Sequence, residues 1–250
     1  MAVLKRLCDD DTVVQNETNE LIKEELNRRS QNTLQAFYRK SSKKAILIAF
    51  GLMFFQQLSG INAVIFYTNA IFTDANVELE PQYATILIGV IQVIATLGST
   101  LVVDRVGRKI LLMASFSLMA LCTLSLGIFY AVKENNEESV DGKGWICLLA
   151  LCLFIVAFSI GAGPLPWLCL SEIFASDIRA IAGSLTGTLN WTLAFAVTAT
   201  YPPVREKIGP SACFIAFAVL SLIGTLFVKF VVPETKGISN AEIQKLLGDE

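Results

Sequence analysis

An apolar stretch of membrane length broken by Gly161, Gly163, Pro164 and Pro166 limits what this chain can become. Proline removes an amide donor and clashes with the preceding helical turn. In hydrocarbon a freed carbonyl finds no water, so such a break is tolerated only inside a helical bundle or along a wet cavity. The run GAGPLPWLCLSEIFASDIRAIAGSLTGTLNW reaches Glu172, turns through Ser176, Asp177 and Arg179, and becomes a second apolar run. The flanking polar residues favour a cavity over a simple packing kink.

The rest of the composition agrees with a membrane setting. Of 250 residues, 54% are hydrophobic and 17% charged, too apolar for an ordinary soluble domain. The net charge of -2 argues against a nucleic-acid partner. There is no histidine, which removes imidazole bases and imidazole metal ligands. The cysteines Cys8, Cys122, Cys147, Cys152, Cys169 and Cys213 form no CxxC pair and read as small buried hydrophobes. No cofactor or metal is expected. An intramembrane enzyme would need a nucleophile beside a base, and no such pairing is visible. The first ~40 residues are polar and contain no apolar core of a cleavable signal peptide.

Residues 1–44 read as a cytoplasmic linker. Leu21, Ile22 and Leu26 among charged residues imply a short amphipathic helix there. Apolar segments near 45–72, 84–103, 110–132, 145–172, 181–201 and 211–232 each approach the ~20 residues that cross a bilayer. The sequence therefore predicts an all-α membrane protein with six transmembrane helices over 45–232. Residues 233–250 form a tail. Within it Ser239 and Glu242 have capping-box spacing, and Ile243, Leu246 and Leu247 fall on one side of a short helix. Lys43, Lys44, Arg105, Arg108, Lys109, Arg179 and Lys236 lie on one side of the membrane, which predicts cytoplasmic termini. Arg205 and Lys207 are the exception.

Span one carries Gln56, Gln57, Asn62, Thr68 and Asn69 around an interruption at Ser59-Gly60. Lipid penalises such groups, so they should face protein or water. On a straight helix Gln57 and Asn62 would point ~140° apart; a bend would bring both onto one wall. Side-chain amides donate and accept, which suits hydroxyls, and aromatic rings suit the apolar face of a sugar. Span two offers Gln92, span four Trp167 and Glu172, and span five Asn190 and Trp191. Span three is expected to be apolar scaffold. Broken spans in corresponding places of two three-helix groups point to an inverted repeat and to a transporter's substrate site.

The motifs QQLSGINAVIFYTNAIF, VDRVGRK, GAGPLPW, SEIFASDIR, NW and PETKG, in this order, resemble the sugar porter family of the major facilitator superfamily. The match is to the C-terminal six-helix half, built as two inverted three-helix repeats, and is closest to facilitative hexose and arthropod trehalose transporters. The resemblance implies sugar contacts from Gln56, Gln57, Asn62, Gln92, Trp167, Asn190 and Trp191. It implies a gate from Phe66 and Tyr67, with Pro164 and Pro166 at the span-four break. It implies a cytoplasmic charge network of Asp104, Arg105, Arg108, Glu172, Arg179 and Glu234. Ala175 stands where the family often has proline. The implied partners are a small sugar, the lipid bilayer, and a missing N-terminal half or a second copy. The implied location is the plasma membrane. A non-transporting chain that pairs with full-length porters is the alternative.

Overall fold

The computed structural model describes residues 33–77 and 80–248, without the side chains of residues 33–35, 102 and 104. The amphipathic helix expected around Leu21–Leu26 lies outside these residues, as does Cys8. A short helix α1 (Thr33–Tyr38) leads into α2 (Lys40–Leu58) and α3 (Ile61–Asp74), which together make span one. Span two is α4 (Pro81–Val106) and span three is α5 (Arg108–Asn135). Span four consists of α6 (Trp145–Ala157), a π-helical turn at Phe158–Ala162, and α7 (Pro164–Ile173). Spans five and six are joined in α8 (Arg179–Val231), and α9 (Asn240–Leu247) follows. Span one begins at Lys40, several residues before the expected Ala45.

Among the described residues, five helical stretches are long and apolar enough to cross a membrane. A straight helix of 53 residues would measure ~80 Å, against ~30 Å of hydrocarbon. The Tyr201 and Phe217 rings, however, lie 6.1 Å apart, whereas on a straight helix those residues would be separated by ~24 Å. The chain reverses at Gly209, whose φ of 84° and ψ of 157° are not helical. The fifth stretch thus supplies two crossings, and the total is six.

Between lipid-exposed helices there is no hydrophobic driving force, so shape and polar contacts hold the bundle together. Phe116, Phe154 and Phe214 are fully buried at its centre. Spans three and six run antiparallel in contact: Tyr130 stacks on Phe214 at 5.6 Å, and Ser117 Oγ meets Thr225 Oγ1 at 3.4 Å. Spans three and four approach closely at Gly161, where a Cβ would sit 2.4 Å from that of Ser115.

The two three-helix groups share a device. The turn from span two to span three passes through Gly107 (φ 103°, ψ 150°), and the turn from span five to span six through Gly209. That region of backbone space is open essentially to glycine alone. Each turn faces a carboxylate. A Cβ at Gly107 would stand 2.9 Å from Glu234 Oε2, and one at Gly209 would stand 2.8 Å from Glu134 Oε1. Glu134 ends span three and Glu234 follows span six, so the equivalent acids serve each other's group. This reciprocity is the inverted repeat expressed in side chains.

At the face bearing α9, the end of span four is satisfied by the C-terminal segment. Asn240 Nδ2 donates to Glu172 O at 2.8 Å and Phe174 O at 3.2 Å, and Gln244 Nε2 donates to Ile173 O at 2.7 Å. These are carbonyls a helix end leaves unpaired. The Ser239–Glu242 capping box forms. Ile243 and Leu247 are buried, but Leu246, expected beside them, is exposed.

Candidate functional site

The two broken spans meet, and the meeting point is where the polar residues collect. In a regular helix the carbonyl of Ala162 would accept from residue 166, which is proline and has no N–H. Gln56 of span one takes that place: its Nε2 donates to Ala162 O at 2.6 Å and Gly163 O at 3.0 Å. Its Oε1 accepts from Asn190 Nδ2 of span five at 2.7 Å. A second patch comes from span three. Ser115 Oγ donates to Ala157 O at 2.6 Å and accepts from Ala162 N at 2.8 Å. Gly163 N donates to Phe158 O at 2.7 Å, closing the π turn. The expectation that span three is uniform scaffold is therefore corrected at Ser115. A lone serine in an apolar helix usually bonds its own backbone, so nothing local marked it.

Beside this junction lies a cavity of about 350 Å³, within the range of small-molecule sites. Gln56, Gln57, Asn62, Gln92, Trp167, Asn190 and Trp191 all border it, from four different spans. So do Thr96, Phe158, Ser159 and Pro164, and among the described residues no charged side chain lines it. The break at Ser59-Gly60 turns the chain so that Asn62 Nδ2 donates to Gln57 Oε1. Gln57 Nε2, Asn62 Oδ1 and the Gln92 amide have no hydrogen-bond partner among the described residues and border the open space. Gln56 and Asn190 differ, being 3% exposed with their amides engaged in the protein. Trp191 is 72% exposed and Trp167 43%, so the cavity has an open side framed by indoles.

The gate residues separate. Tyr67, at a kink in α3, donates from its hydroxyl to Thr198 O at 3.0 Å, and its ring lies 5.3 Å from that of Tyr201. Phe66 is exposed and does not line the cavity. Pro164 does; Pro166 is buried behind it. Thr68, expected on a polar wall, is buried and bonds Val64 O one turn earlier in its own helix.

The charged residues near α9 are arranged differently from a simple network of ion pairs. Arg108 pairs with Glu172 at 3.1 Å, and Thr235 Oγ1 donates to Glu172 Oε2 at 2.5 Å. Glu234 instead caps a helix, accepting from Arg108 N at 3.0 Å and Lys109 N at 3.2 Å, and from Thr235 N and Lys236 N at 3.0 Å each. Among the described residues, Arg179 donates to Phe174 O at 3.2 and 3.0 Å and to no acid. Among the described residues Arg105 forms no ion pair; its carbonyl accepts from Lys236 Nζ at 2.7 Å. The Asp104 side chain lies outside those described. A pair not anticipated joins Arg39, ahead of span one, to Asp177 at 2.9 Å.

Burial pushes the Glu234 carboxyl up, but the four backbone donors outweigh it and hold the group below its ordinary 4.5. A carboxylate held low in the folded state contributes stability above its unfolded value and loses it as pH falls through the folded one. Acidification below about pH 4.5 should therefore loosen the Gly107 turn. The expected result is a fall in the urea midpoint of the wild-type chain in lipid nanodiscs as the pH drops below about 4.5. Part of that slope should be missing in Glu234→Gln; identical slopes would show that the cap contributes nothing.

The family model described as sugar (and other) transporter matches residues 1–247. The facilitated trehalose transporter Tret1 of Polypedilum vanderplanki is 46% identical over 220 residues, which cover 88% of this chain and 44% of that protein. Its namesake in Anopheles gambiae is 43% identical over 220 residues, 28% of its length. This chain thus spans less than half of these relatives. Among solved structures, the proton:xylose symporter XylE of the major facilitator superfamily, bound to 6-bromo-6-deoxy-D-glucose, superposes with a TM-score of 0.77 at 27% identity. The match covers 95% of this chain and 49% of that one. The inward-open xylose transporter XylE from E. coli gives 0.73 at 26% identity, covering 98% and 49%.

Proposed function

The chain belongs to the sugar transporter family, and from that premise we propose that it forms one half of a sugar porter. It is a multi-pass integral membrane protein with half of a major facilitator fold. In this reading an uncharged sugar of the hexose or trehalose class binds in the cavity and crosses the plasma membrane by alternating access, with no chemical conversion. Gln57, Asn62 and Gln92 supply hydrogen bonds to hydroxyls, and Trp167 and Trp191 cover the apolar ring faces. Gln56 and Asn190 hold the site's walls together. The termini and the Arg108–Glu172 pair lie at the cytoplasmic face, and Tyr67 stands at the outer one. The second half, supplied by a six-helix partner or a second copy, covers the exposed indoles.

One observation carries this reading: unpaired amide groups and exposed indoles converge on a single uncharged cavity. A charged substrate would leave its charge uncompensated there, at a high cost in low dielectric.

Tryptophan fluorescence of the purified chain in nanodiscs tests the proposal. Glucose or trehalose should change the emission saturably, and glucose 6-phosphate should not. Gln57→Ala and Asn62→Ala should each weaken binding about fivefold, the worth of one neutral hydrogen bond. No saturable response to any neutral sugar, or an equal response to the phosphate, would overturn it.

A further inference from the structure

Glu234 acts at the face bearing the termini, and the symmetry of the fold supplies it with a counterpart at the far face. Glu134 Oε2 accepts from Ser211 Oγ at 2.6 Å, and its Oε1 accepts from Ser211 N at 3.3 Å. Ser211 opens span six just after the Gly209 reversal, where helical N–H groups lack partners. The neighbouring cations are committed elsewhere. Lys133 donates to Asp74 O and lies 3.6 Å from Glu137, while Arg205 pairs with Asp74. Among the described residues, Glu134 hydrogen-bonds only to this turn.

What the turn holds gives this contact its consequence. The far end of span five, just before the reversal, presents Thr198 and Tyr201, the two residues that receive Tyr67. Tyr201 is in turn packed on Phe217 of span six. Fixing Ser211 fixes the start of span six, hence Tyr201, hence the seat of Tyr67.

We propose that Glu134 is a positioning residue that sets the far-face gate, the inverted counterpart of Glu234 at the opposite face. Its gating role rests on the porter reading given above; its clamp does not. Spans three and six are pinned to each other at both ends. The broken spans one and four, which carry most of the cavity wall, then move against a fixed strut.

Hydrogen exchange of the purified chain in nanodiscs separates the possibilities. Glu134→Ala should raise exchange at least tenfold over residues 209–213, and also over 65–70 and 198–202, with residues 107–111 unchanged. Glu134→Gln, which keeps an acceptor for Ser211, should restore most of the protection. Glu234→Ala should show the reverse, loosening 107–111 and the adjoining 235–236, with residues 209–213 unchanged. A general loss of stability would loosen both faces in both variants, and that result overturns the proposal. So does unchanged exchange at 209–213. If 209–213 loosens while 65–70 and 198–202 do not, the clamp stands and the gating role falls. Failure of the wild-type chain to bind sugar would remove the porter reading but leave this exchange pattern as it is.

Discussion

Gln56→Leu is expected to be among the most damaging single substitutions in the bundle, costing about 2–4 kcal/mol of stability. Leucine fills similar space, so the loss is one of hydrogen bonding. Ala162 O loses its donor at 2.6 Å, and Asn190 Nδ2 loses its oxygen acceptor at 2.7 Å. Interhelical hydrogen bonds in membranes average only ~0.6 kcal/mol, because separated helices find other partners. Ala162 O is different: Pro166 removes the donor its own helix would offer, so no local alternative exists. A buried polar group left unpaired costs about 1–3 kcal/mol, and here two are affected. The free energy of unfolding in mixed micelles measures the effect. Asn190→Ala, which leaves the carbonyl satisfied, should cost less than half as much. A change below about 1 kcal/mol for Gln56→Leu would show that the break is satisfied some other way.

Gly107→Ala and Gly209→Ala form the second large effect, about 3 kcal/mol each. Both sites have φ and ψ values that L-residues avoid, at a cost of about 1–3 kcal/mol. In both, the new Cβ would press on the capping carboxylate, Glu234 or Glu134. Losing a cap adds about 0.5–2 kcal/mol. The two sites lie at opposite ends of span three, ~40 Å apart, and share no partner. The double variant should therefore be additive within about 0.5 kcal/mol. Strong non-additivity would mean that the two faces communicate through the strut. A neutral result at either site would mean that its turn relaxes into another conformation.

Much of the fold could be read from the chain. Apolar run length gave six crossings because the bilayer sets how many residues must be buried. Gly and Pro placed the breaks in spans one and four because backbone chemistry there is local. The cavity residues were also legible as a set, since amides and indoles stand out in an apolar background. Their division of labour was not. Gln56 and Gln57 are adjacent, chemically identical and both border the cavity, yet the amide of one mends span four and that of the other pairs with Asn62. Which neighbour an amide meets depends on how the helices cross, and helical periodicity contains no such information. Ser115, Glu134 and Arg39 were missed for the same reason: each is an ordinary residue until its partner comes from a distant segment. Glu234 and Arg179 were legible as charges, but the structure directs them to backbone groups, because helix ends present unpaired donors and acceptors that sequence does not locate.

The sequence by itself determined a membrane chain with two interrupted spans and an uncharged polar patch, because solvation in lipid acts residue by residue. Only the tertiary structure decided that the interruptions face one another, that Gln56 closes the gap between them, and that spans three and six cap each other reciprocally. Those are contacts between segments far apart in the chain, and their energies exist only once packing has fixed distance and direction.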